Sequence, residues 1–422
     1  MRRRHPRRAR GGRACRERLS RREGARSRLW RLARGRVPGR TSGPRHPGVS
    51  TQAKVVLVGA GHAHLHVAAH ADALAEAGAS VTLVDPGTFW YSGRATGMLG
   101  GRFAPEDDQI DPRAVVENHG GAFVAGHVET VDRERQRLHL ADGQTLAYDW
   151  LSFNVGSGVN SSAIDGCTAE ANCWPVKPIA NLAPLRTTLS RAFAAGEAPA
   201  VAVVGGGNTG CEIAANIAAL ARRHAPTDAR PAIRLLQGGD TFAPSLPASA
   251  GKRLADKLAA LGIDVQYNRR ITERRDGELI CDDGEHIAAA HVVIATGLVA
   301  PQWLAHLGLA FDDGLVVDDT LRSVDDPQVF AVGDCAHIRG HALARLGVFG
   351  VRQAPVLLAN LLAGLRGQAL ENYEPQSKWL SILDLGDGTG LASRGQRWWL
   401  GRSSVWLKHW LDRRFIESYR PR

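Results

Sequence analysis

Short, continuous β-branched runs punctuate this chain, and two of them lead directly into glycine clusters. That pattern predicts buried parallel strands feeding helices. Lys54-Val55-Val56-Leu57-Val58 is the first run, followed by Gly59-Ala60-Gly61-His62-Ala63-His64. A helical stretch is expected to about Ala77, with Gly78 as its stop. The next strand, Ser80 to Val84, ends at Asp85, 24 residues after Gly61. Val201-Ala202-Val203-Val204 repeats the signal. Gly205-Gly206-Gly207-Asn208-Thr209-Gly210-Cys211-Glu212 follows, with a helix to Arg223 and a strand from Ala232 to Leu236. Patterns at 122–148 and 271–289 read as β-hairpins, with Asp142-Gly143 and Asp283-Gly284 as turns.

Each glycine cluster sits at a strand–helix junction, where free N–H groups and the helix dipole favour a pyrophosphate. At the first, Gly59 permits the tight turn and Gly61 the close approach of a ligand. Asp85 is placed to accept from ribose hydroxyls. His64 stands where a third glycine is usual, so the helix is expected to sit slightly farther from the strand. His62 and His64, inside the turn, are candidates for the same cofactor site. The second cluster keeps all three glycines, Gly205, Gly207 and Gly210, with Asn208 and Thr209 between them. Two such turns about 146 residues apart imply two dinucleotides, most economically a flavin and a nicotinamide. Gln237, near the position that reads a ribose 2′-hydroxyl, is neutral, so NADH and NADPH both stand, with a lean to NADH.

Composition changes the picture in three ways. The total of +11 arises in residues 1–50, where 18 Arg against two Glu give +16 and leave the other 372 residues at −5. A nucleic-acid-binding enzyme is therefore not indicated. The segment is expected to be disordered, and reads as a mitochondrial presequence or, preferably, as an extension from an upstream start. No apolar run approaches bilayer length, so an integral membrane protein is not expected. Six scattered cysteines without CxxC spacing support neither a disulfide framework nor a zinc site, and a reducing compartment fits. His62, His66 and His70 fall at i, i+4 spacing but lack acidic or cysteine partners, so packing histidines are favoured over a metal site.

The two glycine turns resemble those of the two-dinucleotide-binding flavoproteins of the pyridine nucleotide–disulfide oxidoreductase superfamily. Tyr148-Asp149-Trp150-Leu151-Ser152-Phe153-Asn154-Val155-Gly156-Ser157 is similar to that family's strand ending in ATGS. Val292-Val293-Ile294-Ala295-Thr296-Gly297 is similar to its second such strand, and Val329-Phe330-Ala331-Val332-Gly333-Asp334 to its second FAD motif. Within it, Tyr91-Ser92-Gly93, Pro175-Val176-Lys177-Pro178, Gly347 to Gln353 and the Trp-rich end look most like type II NADH dehydrogenases and sulfide:quinone oxidoreductases. The subgroup linked to selenide, water dikinase is the nearest likeness.

The resemblance implies FAD, held by Gly59, Gly61, Asp85, Gly156, Gly333 and Asp334. It implies NADH or NADPH at Gly205, Gly207, Asn208, Thr209, Gly210, Thr296 and Gly297. The fold class is α/β: an FAD domain over 51–165 and 286–345, a nucleotide domain over 178–285 inserted into it, and a C-terminal interface segment over 346–422. A helix from about Phe349 to Leu365 would aim its N-terminus at the flavin.

The chemistry-bearing candidates are Lys177, Glu212 and Gln353. Lys177 faces the flavin or nicotinamide, or is a linker lysine. Glu212 points near the nicotinamide in relatives, or is a first-turn acid. Gln353, with Arg352, matches the quinone side of the ring, or is a helix-terminal surface residue. No redox-active cysteine pair beside the flavin is legible, and Cys335 reads as a small buried residue. Electrons would then leave for a quinone. The C-terminal alternation of Trp398, Trp399, Trp406 and Trp410 with Arg402, Lys408, Arg413 and Arg414 reads as a basic amphipathic helix for a membrane surface, or as a docking or homodimer face. A cytoplasmic enzyme, peripheral on the membrane, is the expectation, or a mitochondrial one if the tail is a presequence. The rival readings are a sulfur or selenium redox enzyme using Cys167 or Cys173, and a non-catalytic FAD-binding regulator.

Overall fold

The computed structural model describes residues 52–226 and 230–420. The expectations for the Arg-rich tail lie outside the described residues.

In chain order the principal elements begin with β1 (Ala53–Val58), α1 (His62–Ala68), α2 (Ala71–Glu76) and β2 (Ala79–Asp85). Then come α3 (Ser92–Leu99), β3 (Ala122–Ala125), β4 (Val128–Asp132), β5 (Arg137–Leu140), β6 (Thr145–Ala147) and β7 (Trp150–Phe153). The middle holds β8 (Cys173–Pro175), α4 (Leu182–Ala194), β9 (Val201–Val204), α5 (Asn208–His224), β10 (Ile233–Leu236), α6 (Ala248–Ala260) and β11 (Ile263–Gln266). After these run β12 (Ile271–Arg275), β13 (Glu278–Cys281), β14 (His286–Ala288), β15 (His291–Ile294) and β16 (Val329–Ala331). The chain closes with α7 (Gly347–Leu365), β17 (Ser381–Asp384), β18 (Gly390–Arg394), β19 (Arg397–Gly401) and α8 (Arg402–Glu417).

Two five-stranded parallel sheets carry the fold, ordered β16-β7-β1-β2-β3 and β8-β15-β9-β10-β11. Continuous apolar strands suit them, because helices cover both faces of such a sheet. Leu57, Leu83, Phe153 and Phe330 are fully buried in the first core, and Val203, Ile213, Leu235 and Phe193 in the second. Helix α3 follows the first sheet's opening strands, yet it buries Ala95, Met98 and Leu99 in the second core. In each sheet the glycine turn after the central strand lies where the strand order reverses, the switch point at which such folds bind ligands.

Several boundaries differ from the sequence expectation. The helix after the first glycine turn is interrupted at Ala69–His70, where the His70 ring N–H donates to the His66 carbonyl oxygen, 2.7 Å away. Residues 122–125 join the first sheet as β3 rather than a hairpin. Hairpins do form through Asp142-Gly143 and Asp283-Gly284. Residues 286–294, expected in the FAD domain, belong elsewhere: β14 pairs with β13, and β15 lies between β8 and β9 in the second sheet. Its all-buried His291–Ile294 run needs parallel partners on both sides, which β8 and β9 supply.

Two more expectations are corrected. Cys167 and Cys173 form a disulfide, with Cα atoms 5.5 Å apart. The 165–173 loop folds back on itself, Cys173 N–H donating to the Thr168 carbonyl at 3.0 Å, and that reversal brings together cysteines whose spacing showed no framework. Trp398 and Trp399 lie in strand β19, not in a helix. Among the described residues one helix, α7, is long and apolar enough to cross a membrane, with mean hydropathy 1.4. It buries Gln353, Leu357, Asn360 and Leu361 inside the fold.

Candidate active site

The first glycine turn is held by a residue that the sequence reading left unassigned. Asn154, at the end of β7 and 4% exposed, accepts on Oδ1 from the N–H groups of Ala63 at 3.0 Å and His64 at 3.3 Å. Its Nδ2 donates to the Val332 carbonyl at 2.9 Å. One carboxamide thus ties α1, β7 and β16 together. It also explains two glycines. A Cβ on Gly61 would lie 2.4 Å from Asn154 Oδ1, and one on Gly333 2.5 Å from Asn154 Nδ2. Two N–H groups of α1 therefore serve the protein rather than a pyrophosphate. Asn154 lies within the ATGS-like string, but nothing in spacing marks a strand-end Asn as a clamp.

His64, expected as a cofactor contact, spends its ring on the protein instead. Its ring is fully buried, Nδ1 lying 2.7 Å from the Gly59 carbonyl and Nε2 2.8 Å from Ser152 Oγ. The ring bridges turn and neighbouring strand, and burial lowers its pKa to about 3. His62, at the start of α1, packs edge-on to Phe89 and 5.4 Å from the Phe415 ring; burial lowers its pKa to about 4, so it is a neutral imidazole. Asp85 accepts from Ala60 N–H at 2.7 Å and Gly87 N–H at 2.9 Å.

A cavity of about 680 Å³ opens beside Gly59, Asp85, Val155 and Ser157. A second of about 330 Å³ lies beside Gly333, Asp334 and Gln353. The wall between them is polar: Ser157 Oγ donates to Asp334 Oδ2 at 2.7 Å, and Lys177 Nζ donates to both, at 2.8 and 2.6 Å. Gln353 Oε1 accepts from Gly333 N–H at 2.6 Å. Lys177 and Gln353, far apart in sequence, therefore both meet the Gly333-Asp334 pair. Gly156 has φ +75°, and a side chain there would point into open space. Together the two cavities, with Asp85 at one for a ribose, the open Gly156 and the Asp334–Lys177–Ser157 cluster between them, suit the two ends of FAD.

The second turn is built on closer contacts. Gly205 has φ +118°, and its Cβ would lie 2.4 Å from the Ala295 carbonyl. A Cβ on Gly210 would lie 1.9 Å from the Gly205 carbonyl, so α5 rests directly on the turn. Gly207 faces open space and precedes an α5 N-terminus with no side-chain cap, leaving first-turn N–H groups for an anion. A cavity of about 980 Å³ lies there, lined by Gly205, Gly207, Gln237, Thr296 and Gly297 among others. Asn208 does not line it, as its Oδ1 accepts from Ser245 at 3.0 Å; Thr209 and Gly210 do not line it either. These dimensions and donors fit a nicotinamide dinucleotide.

Glu212 turns away from this cavity. Its Oε1 accepts from Asp384 N–H at 2.7 Å and Thr96 Oγ1 at 3.3 Å, and burial pushes its pKa up to about 7. It belongs to a buried polar cluster under α8 that sequence reasoning missed. Lys408 donates to Asp412 at 3.1 Å and to the Gly93 carbonyl, and Tyr91 donates to Asp412 at 3.0 Å. Burial pulls the Lys408 ammonium down, but Asp412 and Glu212 outweigh it and hold it above its usual value. Lys408 faces inward because these partners satisfy it, while Trp406 and Trp410 are 68% and 43% exposed.

Asp108 is fully buried beside this cluster, and neither of its carboxylate oxygens has a hydrogen-bond partner among the described residues. Burial pushes its pKa up to about 8. A carboxyl whose folded pKa is raised favours folding below its unfolded pKa near 4, and that contribution is lost as pH rises toward 8. Asp108→Asn should remove one proton's worth of slope, about 1.4 kcal/mol per pH unit, from the stability profile over that window. Urea unfolding across pH 5–8 checks this, and an unchanged slope would refute it.

Two parallel sheets each present a glycine turn to a cavity of their own, and Asn160 and Val299 line both cavities, an arrangement that suits two dinucleotides placed end to end. The chain belongs to the pyridine nucleotide-disulphide oxidoreductase family, whose model matches residues 53–356. That family is FAD- and NAD(P)H-dependent. A type II NADH:quinone oxidoreductase of Haemophilus influenzae is 26% identical over 349 residues, 71% of this chain and 76% of that protein. A rubredoxin-NAD(+) reductase of Pseudomonas putida is 26% identical over 218 residues, and the chain spans about half of it (52%). NDH2 of Plasmodium falciparum in complex with NADH superposes with a TM-score of 0.73 at 16% identity, over 87% of this chain and 97% of that one. The sulfide:quinone oxidoreductase of Aquifex aeolicus gives 0.73 at 16% identity, over 87% and 91%. These last two likenesses concern the fold.

Proposed function

We propose that the protein is an NAD(P)H dehydrogenase that passes two electrons from a reduced nicotinamide, through FAD, to a quinone. One observation carries the first half. Arg345 lines both the 980 Å³ cavity and the cavity beside Gly333 and Asp334. It donates through Nη1 to the Leu298 carbonyl at 3.0 Å and through Nε to the Asp334 carbonyl at 2.9 Å. The nicotinamide end of one cavity thus abuts the flavin motif.

When bound, FAD supplies the hydride-accepting chemistry; the protein supplies position and field. Gly205, Gly207 and the open N-terminus of α5 hold the nicotinamide nucleotide's pyrophosphate. Gly59, Asp85, Gly156 and Asp334 hold FAD. Lys177, fixed on Asp334 and Ser157, places a positive charge beside the flavin groove, where negative charge develops on reduction. Gln353, by accepting from Gly333 N–H, fixes the glycine that the flavin approaches and sets the start of α7 against it. Cys335, whose buried thiol is pushed up to about 12 and lies 3.3 Å from the Val332 carbonyl, packs and does not react.

The acceptor follows from α8. Its exposed face combines Trp406, Trp410 and Leu411 with the exposed Arg402, Arg413 and Arg414, as interfacial helices do. Its Phe415 stacks on Tyr91 at 4.5 Å and approaches His62. The same helix therefore joins a lipid-facing surface to the residue after the first glycine turn, a route suited to an apolar acceptor.

The test reduces the FAD-loaded protein anaerobically and offers a short-chain quinone, a rubredoxin, a low-molecular-weight disulfide and oxygen in turn. Reoxidation should be fastest with quinone and should persist in Cys167→Ser/Cys173→Ser. Preferential oxidation by rubredoxin, or loss of turnover in the double variant, would contradict the quinone reading.

A further inference from the structure

The end of the 980 Å³ cavity beside Gln237 has a charge pattern that bears on the choice between the two nicotinamide nucleotides. Three arginines, Arg269, Arg270 and Arg345, line this cavity and no acidic residue does. Arg345 serves the flavin end, as described above. The other two flank Gln237, the residue that ends β10 and stands where an acid would read the ribose 2′-hydroxyl.

Gln237 is not free to take that role. Its Oε1 accepts from Gly206 N–H at 3.0 Å and its Nε2 donates to the Thr241 carbonyl at 2.8 Å. The carboxamide therefore braces the glycine turn with both ends. Being neutral, it does not repel an anion either. Gly238 and Gly239 follow, and neither carries a side chain into the space beside it.

Backbone bonds place the arginines there. Arg269 N–H donates to the Gln237 carbonyl at 2.9 Å and Asn268 N–H to the Gly239 carbonyl at 3.1 Å. A Cβ on Gly238 would lie 3.8 Å from Arg270 Cα. Arg269 is braced from outside the cavity by Glu285 at 2.7 Å and Asp283 at 3.5 Å, and its Nε is buried without a partner among the described residues. Arg270 is 70% exposed, and its Nε lies 3.7 Å from the half-exposed Asp282. A wide-open guanidinium, a second one held rigid behind it, and no acid on the cavity wall form a site for a doubly charged phosphate.

We propose that the cavity selects NADPH, with Arg270, backed by Arg269, contacting the 2′-phosphate on the adenosine ribose. This rests on the nicotinamide reading above and narrows it. It departs from the lean toward NADH that a neutral Gln237 suggested, because the arginines come from the loop after β11, some 30 residues further on, where sequence spacing gives no sign that they face Gln237.

The test measures binding of NADP+ and NAD+ to the FAD-loaded protein by titration calorimetry, with adenosine 2′,5′-bisphosphate and AMP as shorter probes. The phosphorylated member of each pair should bind at least about tenfold more tightly, as expected for charge-assisted hydrogen bonds to a phosphate. The difference should shrink as salt is raised. Arg270→Ala should remove most of it, and should do so by weakening NADP+ rather than NAD+, because only NADP+ carries the phosphate that Arg270 contacts. Equal affinities in the wild type would overturn the proposal, and so would a variant that weakens both nucleotides alike. Binding of neither nucleotide would sink the nicotinamide reading itself, whereas tight binding of NAD+ alone would sink only this inference.

Discussion

Asn154→Leu should yield a colourless, destabilised protein. The substitution keeps approximate volume but removes the acceptor for Ala63 and His64 N–H and the donor to the Val332 carbonyl. Each buried backbone group left unpaired costs about 1–3 kcal/mol. A total loss of about 3 kcal/mol or more is expected in urea unfolding, together with loss of bound flavin. The two effects are linked because the same carboxamide sets the turn at Gly61 and the approach of Gly333. If Asn154→Leu retained a full flavin spectrum, the clamp would not be what shapes the FAD groove. Asn154→Asp, which keeps an acceptor but loses the donor, should fall between the two.

Gly210→Ala should separate the two dinucleotides. Its new Cβ would lie 1.9 Å from the Gly205 carbonyl, so α5 must move off its turn by roughly an ångström or more. Displacements of that order cost about 100-fold in orientation-dependent rate. Reduction of the flavin by NAD(P)H should therefore fall by about that factor, with flavin content unchanged, because the first sheet and its turn are not touched. Stopped-flow bleaching beside an absorbance spectrum reads both quantities. Loss of flavin together with the rate would mean that the displacement of α5 reaches the first turn, for which α3, buried in the second core, offers a route.

Much of the fold was legible because it rests on local signals. Buried parallel strands read as unbroken apolar runs, so β1, β9 and β15 fall within a residue or so of their expected positions. Glycine at a positive φ marks each turn. Sheet membership was less legible. The run from His291 to Ile294 looks the same whichever sheet takes it, and only pairing with β8 and β9 assigns it.

The site divides along the same line. The glycines and Asp334 carry motif spacing. Lys177 was visible only as a lysine before the second unit, and its ion pair with Asp334 spans 157 residues. Asp108, Lys408 and Asp412 have no motif, Asn154 lies in one that does not mark it as a clamp, and the roles of all four arise from burial that brings distant polar groups together. His64 shows the opposite failure. Its place inside a motif suggests a cofactor contact, yet hydrogen bonds to Gly59 and Ser152 draw it inward. The disulfide also needed the folded loop to become visible.

The central claim is that two dinucleotides meet end to end, with the nicotinamide against the flavin beside Asp334. Anaerobic titration of the purified, FAD-loaded protein with NADPH and NADH tests it most directly. The account predicts a flavin absorbance band that bleaches on addition of a stoichiometric amount of reduced nucleotide. A flavin band that no reduced nicotinamide nucleotide bleaches would contradict it.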